Sequence, residues 1–267
     1  MTSTRNGARE VSTTEGAGSP TGVAVRWVPR EVGTIERTRA VIRKLNELGD
    51  RSRLEGMERY GINTRKALGV TVTELRVLAR QIGRDHELAI ALWDSEIHEA
   101  RILASIVDDP ARVTERQMEA WVHDLDSWDV CDQVCGNLFD RTRFAFRKAA
   151  QWSAREDEFV KRAGFALMAC AAVHRKDAPD EQFETFLPII RTEATDDRNF
   201  VRKAVSWALR QIGKRSPELN ARAIETARQI QRIDARAARW IAGDALRELE
   251  SPAVQERFAE RAARSSA

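Results

Sequence analysis

The stretch "DSWDVCDQVC", residues 126–135, holds one tryptophan, three carboxylates and two cysteines. Trp128 and Asp132 are four residues apart, so a helix would place them on one side, one turn from each other. With Ser127 as N-cap and a helix to about Phe139, Cys131, Val134, Cys135 and Leu138 form an apolar stripe. Trp128 and Asp132 then lie at its flank. A carboxylate there is partly desolvated beside an indole, and it can stabilise a developing cation or position a water. The same placement suits a boundary tryptophan packed over a neighbouring helix, with Asp132 in a salt bridge. A zinc site would need four soft or imidazole ligands. The remaining candidates, Cys170, His123 and His174, are scattered without ligand spacing. The cysteines therefore read as buried core, and no metal is expected.

A second stretch with chemical potential is "NFVRKAVSWALRQIGKR", residues 199–215. Phe200, Val201, Ala204, Ala208 and Ile212 make its buried stripe. Lys203, Trp207, Arg210 and Lys214 follow at i, i+4, i+7 and i+11, so Trp207 lies among cations on another face. An indole there can stack on a sugar or base while the cations hold phosphates, or it can seal against the next helix. Arg162, in "EFVKRAGFALMAC", flanks a stripe of Phe159, Ala163, Ala166 and Cys170. Its planar fork suits a phosphate, or a salt bridge to Asp157 or Asp132. Arg147 and Lys148 in "FRKAAQW", and Arg239 in "ARAARW", repeat the pairing of basic and aromatic residues.

These residues need a helical frame. After residue 34 the apolar spacing predicts helix after helix, with segments near 36–48, 86–94, 96–107, 157–174, 181–194, 199–214, 218–231, 234–249 and 252–264. Val72, Leu75, Leu78, Ala79 and Ile82 follow a Thr73 cap, and Thr114 with Gln117 forms a capping-box pattern. Breakers are short, and the period-two strand signal is weak. "FRKAAQWS", "VKRAGFAL", "VRKAVSWAL" and "ARAARWIAG" echo one another. Helix pairs of similar length that cannot bury their stripes alone stack into a solenoid, and HEAT-like pairs fit these lengths. The fold class is thus all-α: a superhelical solenoid with a concave basic face, spanning 34–267 as one domain. Residues 1–33, rich in Ser, Thr and Gly, read as a disordered or loosely attached tail.

The chain has 267 residues, with 44 Lys+Arg against 41 Asp+Glu, a net charge of +3 that does not by itself imply nucleic acid. No apolar run reaches the length of a membrane span, and no secretory h-region stands at the start. Three cysteines are too few for a disulfide framework, which fits a reducing cytoplasm.

Taken together, "MERYGINTRKALGVTVTELRVLAR" (57–80), "LAIALWDSEIHEARILASIVDDP" (88–110), "SWDVCDQV" (127–134), "FVKRAGFAL" (159–167) and "NFVRKAVSWALRQIGK" (199–214) resemble the AlkD-like family of DNA alkylation repair proteins. The likeness covers roughly residues 35–250. It implies HEAT-like repeats that hold duplex DNA in a concave basic groove, as a monomer. It further implies removal of N3- and N7-alkylated purines without deep base flipping, with no metal or organic cofactor. By matching motifs, Trp128 and Asp132 correspond to an aromatic and the catalytic carboxylate, Arg162 to the backbone-holding arginine, and Trp207 to the second aromatic. Phe159 stands where that family carries a tryptophan, and the "RKDAPD" segment (175–180) differs in length. The basic residues Arg147, Lys148, Lys203, Arg210, Lys214 and Arg239 are then candidate DNA contacts. A non-catalytic module for distorted or branched DNA, or a protein scaffold, would use the same fold.

Overall fold

A computed structural model describes residues 32–265 of the chain. The expected tail, apart from residues 32 and 33, lies outside the described residues. Among those described there are fifteen α-helices and no strand. They are α1 (Thr34–Leu48), α2 (Leu54–Arg59), α3 (Val72–Ile82), α4 (His86–Trp93), α5 (His98–Val107), α6 (Glu115–His123), α7 (Trp128–Asn137) and α8 (Ala145–Ser153). The chain continues with α9 (Glu158–His174), α10 (Asp180–Glu184), α11 (Phe186–Thr192), α12 (Asn199–Gly213), α13 (Pro217–Gln231), α14 (Arg236–Leu249) and α15 (Pro252–Ser265). No helix among the described residues is long and apolar enough to cross a membrane.

Local chemistry sets the boundaries. The cap of α3 is Thr71 rather than Thr73. Its hydroxyl accepts from the Glu74 N–H, and the Glu74 carboxylate accepts from the Thr71 N–H, so two orphan amides are satisfied reciprocally. Thr114 caps α6 as expected, but the Gln117 side chain turns to Asp108 instead of completing a box. The expected helix 181–194 is broken at Thr185. Pro188 has no N–H for the Glu184 carbonyl, and its ring would collide with that group. The α2 segment, absent from the periodicity reading, is a short helix with no fully buried residue.

The helices form two rows. α5, α7, α9, α12 and α14 pack each on the next. α4, α6, α8, α11 and α13 lie behind them and touch one another far less, so the stack curves with the first row inside. The inner row is parallel and in register. Near its helix starts, Arg162 of α9 reaches both Asp132 of α7 and the Phe200 carbonyl of α12. Further along, Ser206 of α12 donates to Asp244 of α14 at 2.7 Å, and Arg215 beyond α12 donates to the Ala172 carbonyl of α9 at 3.3 Å. The inner helices therefore present their N-termini, the positive ends of their dipoles, along one edge. The fifth residues of α7, α9, α12 and α14 are Asp132, Arg162, Lys203 and Trp240.

One buried carboxylate ties the 60–71 segment to this row. Glu99 of α5 is fully buried and accepts the backbone N–H groups of Leu68 (2.9 Å), Gly69 (2.7 Å) and Val70 (3.3 Å). Gly69 has φ 81°, and a Cβ there would stand 2.1 Å from the Asp50 carbonyl oxygen, so only glycine fits. Glu99→Ala is expected to strand three inward-facing donors and to lower stability by about 2–4 kcal/mol. Equilibrium denaturation would check this, and a change below roughly 1 kcal/mol would contradict it.

Candidate functional site

Three of the four expected site residues meet at the starts of α7 and α9. Ser127 stands at the N-cap of α7 in extended conformation. Its hydroxyl does not cap the helix. It donates to Asp129 at 2.7 Å and accepts the Asn63 N–H at 3.3 Å. Asp129 in turn bonds the buried His98 ring at 2.8 Å, which seats the first turn of α7 against α5. Burial opposes a charge on His98, yet the bond and charge of Asp129, with Glu99 and Asp126, outweigh it and raise the imidazole's pKa.

On that seat, Trp128 is half-buried and its indole N–H donates to the Tyr60 carbonyl at 3.0 Å. One turn on, Asp132 is gripped by Arg162 in a bidentate pair. Nε bonds Oδ1 at 3.0 Å and an Nη bonds Oδ2 at 2.7 Å. The remaining Nη donates to the Phe200 carbonyl at 2.6 Å. The guanidinium also lies 5.7 Å from the Trp128 ring centre. The Arg162 side chain is 6% exposed, whereas that of Asp132 is 19% exposed, so the carboxylate keeps an open side. Burial pushes the Asp132 carboxyl above its ordinary pKa, against the charge and hydrogen bonds of Arg162. The resemblance assigns Arg162 to a phosphate. In this structure its fork is committed to Asp132 and to the α12 backbone.

Trp207 stands apart from this trio. It is half-buried, packs on the core, and lies seven residues beyond Phe200, about 10 Å along α12. In the orientation that satisfies its neighbours, the Gln211 amide oxygen accepts from Trp207 Nε1 and Lys214 Nζ, both at 3.2 Å. The α12 residue beside Arg162 is instead Phe200, read from sequence only as part of the buried stripe. Its ring stacks on Phe159 at 5.8 Å, and a Cβ on Gly61 would meet it at 2.8 Å. Cys131, Cys135 and Cys170 are all buried, as the stripe predicted.

The expected basic residues divide by position. Arg147 and Lys148 lie on α8, in the outer row. Arg147 bonds Glu115 at 2.7 Å, and Lys148, 3% exposed, bonds Glu115 and Glu119 at 2.6 Å, so the structure does not bring either to the site. Arg210 and Lys214 both grip Glu248, each at 2.5 Å, and Arg239 pairs with Asp234 at 2.7 Å. Lys203 is exposed on α12, and among the described residues no carboxylate lies within ion-pair distance of it.

Sequence reasoning passed over Tyr60, the chain's single tyrosine, which is 76% exposed where its carbonyl meets Trp128. Its signal was its place inside "MERYGIN", just before a Gly with φ 74° that turns the chain back. Arg65, exposed and without an ion pair among the described residues, lies two residues beyond Asn63. The arrangement as a whole is an anionic point set among aromatic rings, on an edge carrying cations and helix N-termini. It can hold a phosphate backbone beside a group that acquires positive charge.

The chain is similar to a solved structure from a family related to the HEAT-like repeat DNA glycosylases with affinity for branched DNA structures. That likeness has 20% identity and a TM-score of 0.67 over 79% of this chain and 95% of that one. It is also similar to the uncharacterized protein Lin0241 of Listeria innocua, 21% identical over 168 residues, or 62% of this chain and 73% of the relative. The family model described as DNA alkylation repair enzyme matches residues 41–249, which take in α7, α9, α12 and α14. The chain belongs to the DNA alkylation repair family.

Proposed function

We propose that this protein is a DNA glycosylase that hydrolyses the N-glycosidic bond of N3- and N7-alkylated purines in duplex DNA. The observation that carries this reading is the Asp132 carboxylate, locked by Arg162 beside Trp128 yet open on one side. An N3- or N7-alkylpurine is cationic, so its bond to deoxyribose is already weakened. Cleavage builds oxocarbenium character on the sugar. Asp132 is placed to stabilise that charge and to orient, and then deprotonate, the incoming water. Trp128 offers a ring face against the sugar and favours the cation. Arg162 does not need to touch substrate. It keeps Asp132 ionised and fixed in one rotamer, so it acts as a positioning residue. The positive edge of the inner row, with Lys203 and Arg65, would hold phosphates on either side. None of these roles calls on a deep base pocket.

The test is release of free base from a duplex carrying N7-methylguanine, incubated with the full chain and measured against spontaneous depurination. Release above background supports the proposal. Background release together with tight binding to a four-way junction would replace it with a second reading. That reading is a non-cutting protein for branched DNA, as the affinity of the structurally similar family suggests.

A further inference from the structure

The inner row ends on a second aromatic–cation pair that the excision reaction does not use. Trp240, the fifth residue of α14, is 38% exposed. Among the described residues it and Tyr60 are the two exposed large aromatic side chains. They stand well apart along the row, Tyr60 beside α7 and Trp240 on α14. The bonds from Ser206 to Asp244 and from Arg210 to Glu248 hold α14 in register with α12, so Trp240 shares the N-terminal edge with Lys203. The Arg202 guanidinium lies over the indole, 5.0 Å from its centre. Arg202 also donates to the Asn199 side chain at 3.3 Å, and its Nε is buried without a hydrogen-bond partner. Among the described residues no carboxylate lies within ion-pair distance of Arg202, Lys203 or Arg236. Nearby Asp234 is taken by Arg239, and Asp244 by Ser206, Arg210 and Arg247.

We propose that Trp240, backed by Arg202 and flanked by Lys203 and Arg236, is a stacking platform for an unpaired nucleobase. An indole that only sealed a helix joint would bury its ring, as Trp93 and Trp152 do. Here Arg202 lies over the ring, and Trp240 is still 38% exposed. A base has a π-face of matching size, while unneutralised guanidinium and ammonium groups take the phosphates next to it. Inside an intact duplex both faces of every base are covered by its neighbours, so away from the ends a ring face can stack only on a base that has left the helix. Overhangs, bulges and branch points supply such bases. Trp240 lies two helix spacings from Arg162, about 16–20 Å across the row. That is roughly five base pairs of B-DNA, so the platform and the excision site would engage separate parts of one DNA.

This inference rests on the reading of the inner edge as the DNA-binding face. The experiment uses the full chain and two short labelled duplexes, one fully paired and one with a single unpaired 2-aminopurine. Affinities come from anisotropy and stacking from 2-aminopurine quenching. The wild type is expected to favour the bulged duplex and quench its probe. Trp240→Ala should lose about tenfold in affinity for the bulged duplex, less than about twofold for the paired one, and most of the quenching. Trp240→Phe should keep most of both. Excision of N7-methylguanine from paired duplex by Trp240→Ala should stay within about twofold of wild type. Equal losses on both duplexes, or quenching retained by Trp240→Ala, would overturn the platform while leaving the glycosylase reading intact. A wild type that binds neither duplex would overturn the DNA-binding reading and the platform with it. An unchanged thermal midpoint shows that the variant is folded.

Discussion

Asp132→Asn is expected to lower excision of N7-methylguanine on the order of 10²–10³-fold while leaving binding to undamaged duplex unchanged or slightly tighter. The asparagine keeps the size of the side chain and removes the charge that would face the developing oxocarbenium. It also cannot take a proton from water. Binding should not fall, because a carboxylate on a phosphate-binding edge repels the backbone and its loss relieves that repulsion. The direction of the wild-type pH profile follows from the site. Burial lifts the Asp132 carboxyl above its ordinary value, so the active, ionised form is lost on acidification sooner than for an exposed aspartate. The acid limb of the excision profile should therefore lie above that of an exposed aspartate, and the asparagine variant should lack that limb. Equal excision rates for Asp132→Asn and wild type would remove the chemical role assigned to this residue.

Arg162→Ala is expected to have the second largest effect, through Asp132 rather than through DNA. All three nitrogens of the fork are used inside the protein, two on Asp132 and one on the Phe200 carbonyl. Removing them leaves a carboxylate that is mostly buried and unpaired. A stability loss of about 2–4 kcal/mol is expected, somewhat below a fully buried pair because Asp132 retains an exposed side. Without the cation that opposes desolvation, the Asp132 pKa should climb further, so the acid limb of excision moves to higher pH. Loss of the fixed rotamer should cost excision on the order of 10²-fold at neutral pH. Arg162→Lys would keep the charge but not the two-pronged grip, and it should restore the position of the acid limb more fully than the rate. If Arg162→Ala instead weakened duplex binding with an unmoved pH profile, the arginine would be a phosphate contact, as the family resemblance implies.

The helical frame was legible because each inner helix carries its own apolar stripe, and a stripe is local information. The α7 stripe of Cys131, Val134 and Cys135, and the α12 stripe of Val201, Ala204, Ala208 and Ile212, are buried as their spacing required. The carboxylate was legible for the same reason, since Trp128 and Asp132 sit on one helix flank. What a single helix could not reveal was the partner of each charge. Lys148 meets Glu119, Arg210 meets Glu248 and Arg162 meets Asp132 across separations of 29, 38 and 30 residues, set by how neighbouring repeats stack. A basic face read from one helix therefore overcounted the cations left for DNA. The aromatic beside Arg162 was misplaced similarly. The pattern set Phe200 in the buried stripe and Trp207 on another face, and only the register of α12 against α9 brings the Phe200 carbonyl, rather than the turn of Trp207, to the guanidinium.

Because the inner helices run side by side in one register, the gap between Asp132 and Trp240 is counted in whole helices. Gaining or losing one repeat between them would lengthen or shorten that gap by a single step of about 8–10 Å, with both stations keeping their own neighbours. The solenoid thus acts as a ruler with coarse graduations. Homologues of different repeat number would gauge different distances along a nucleic acid without any change in the chemistry at either mark.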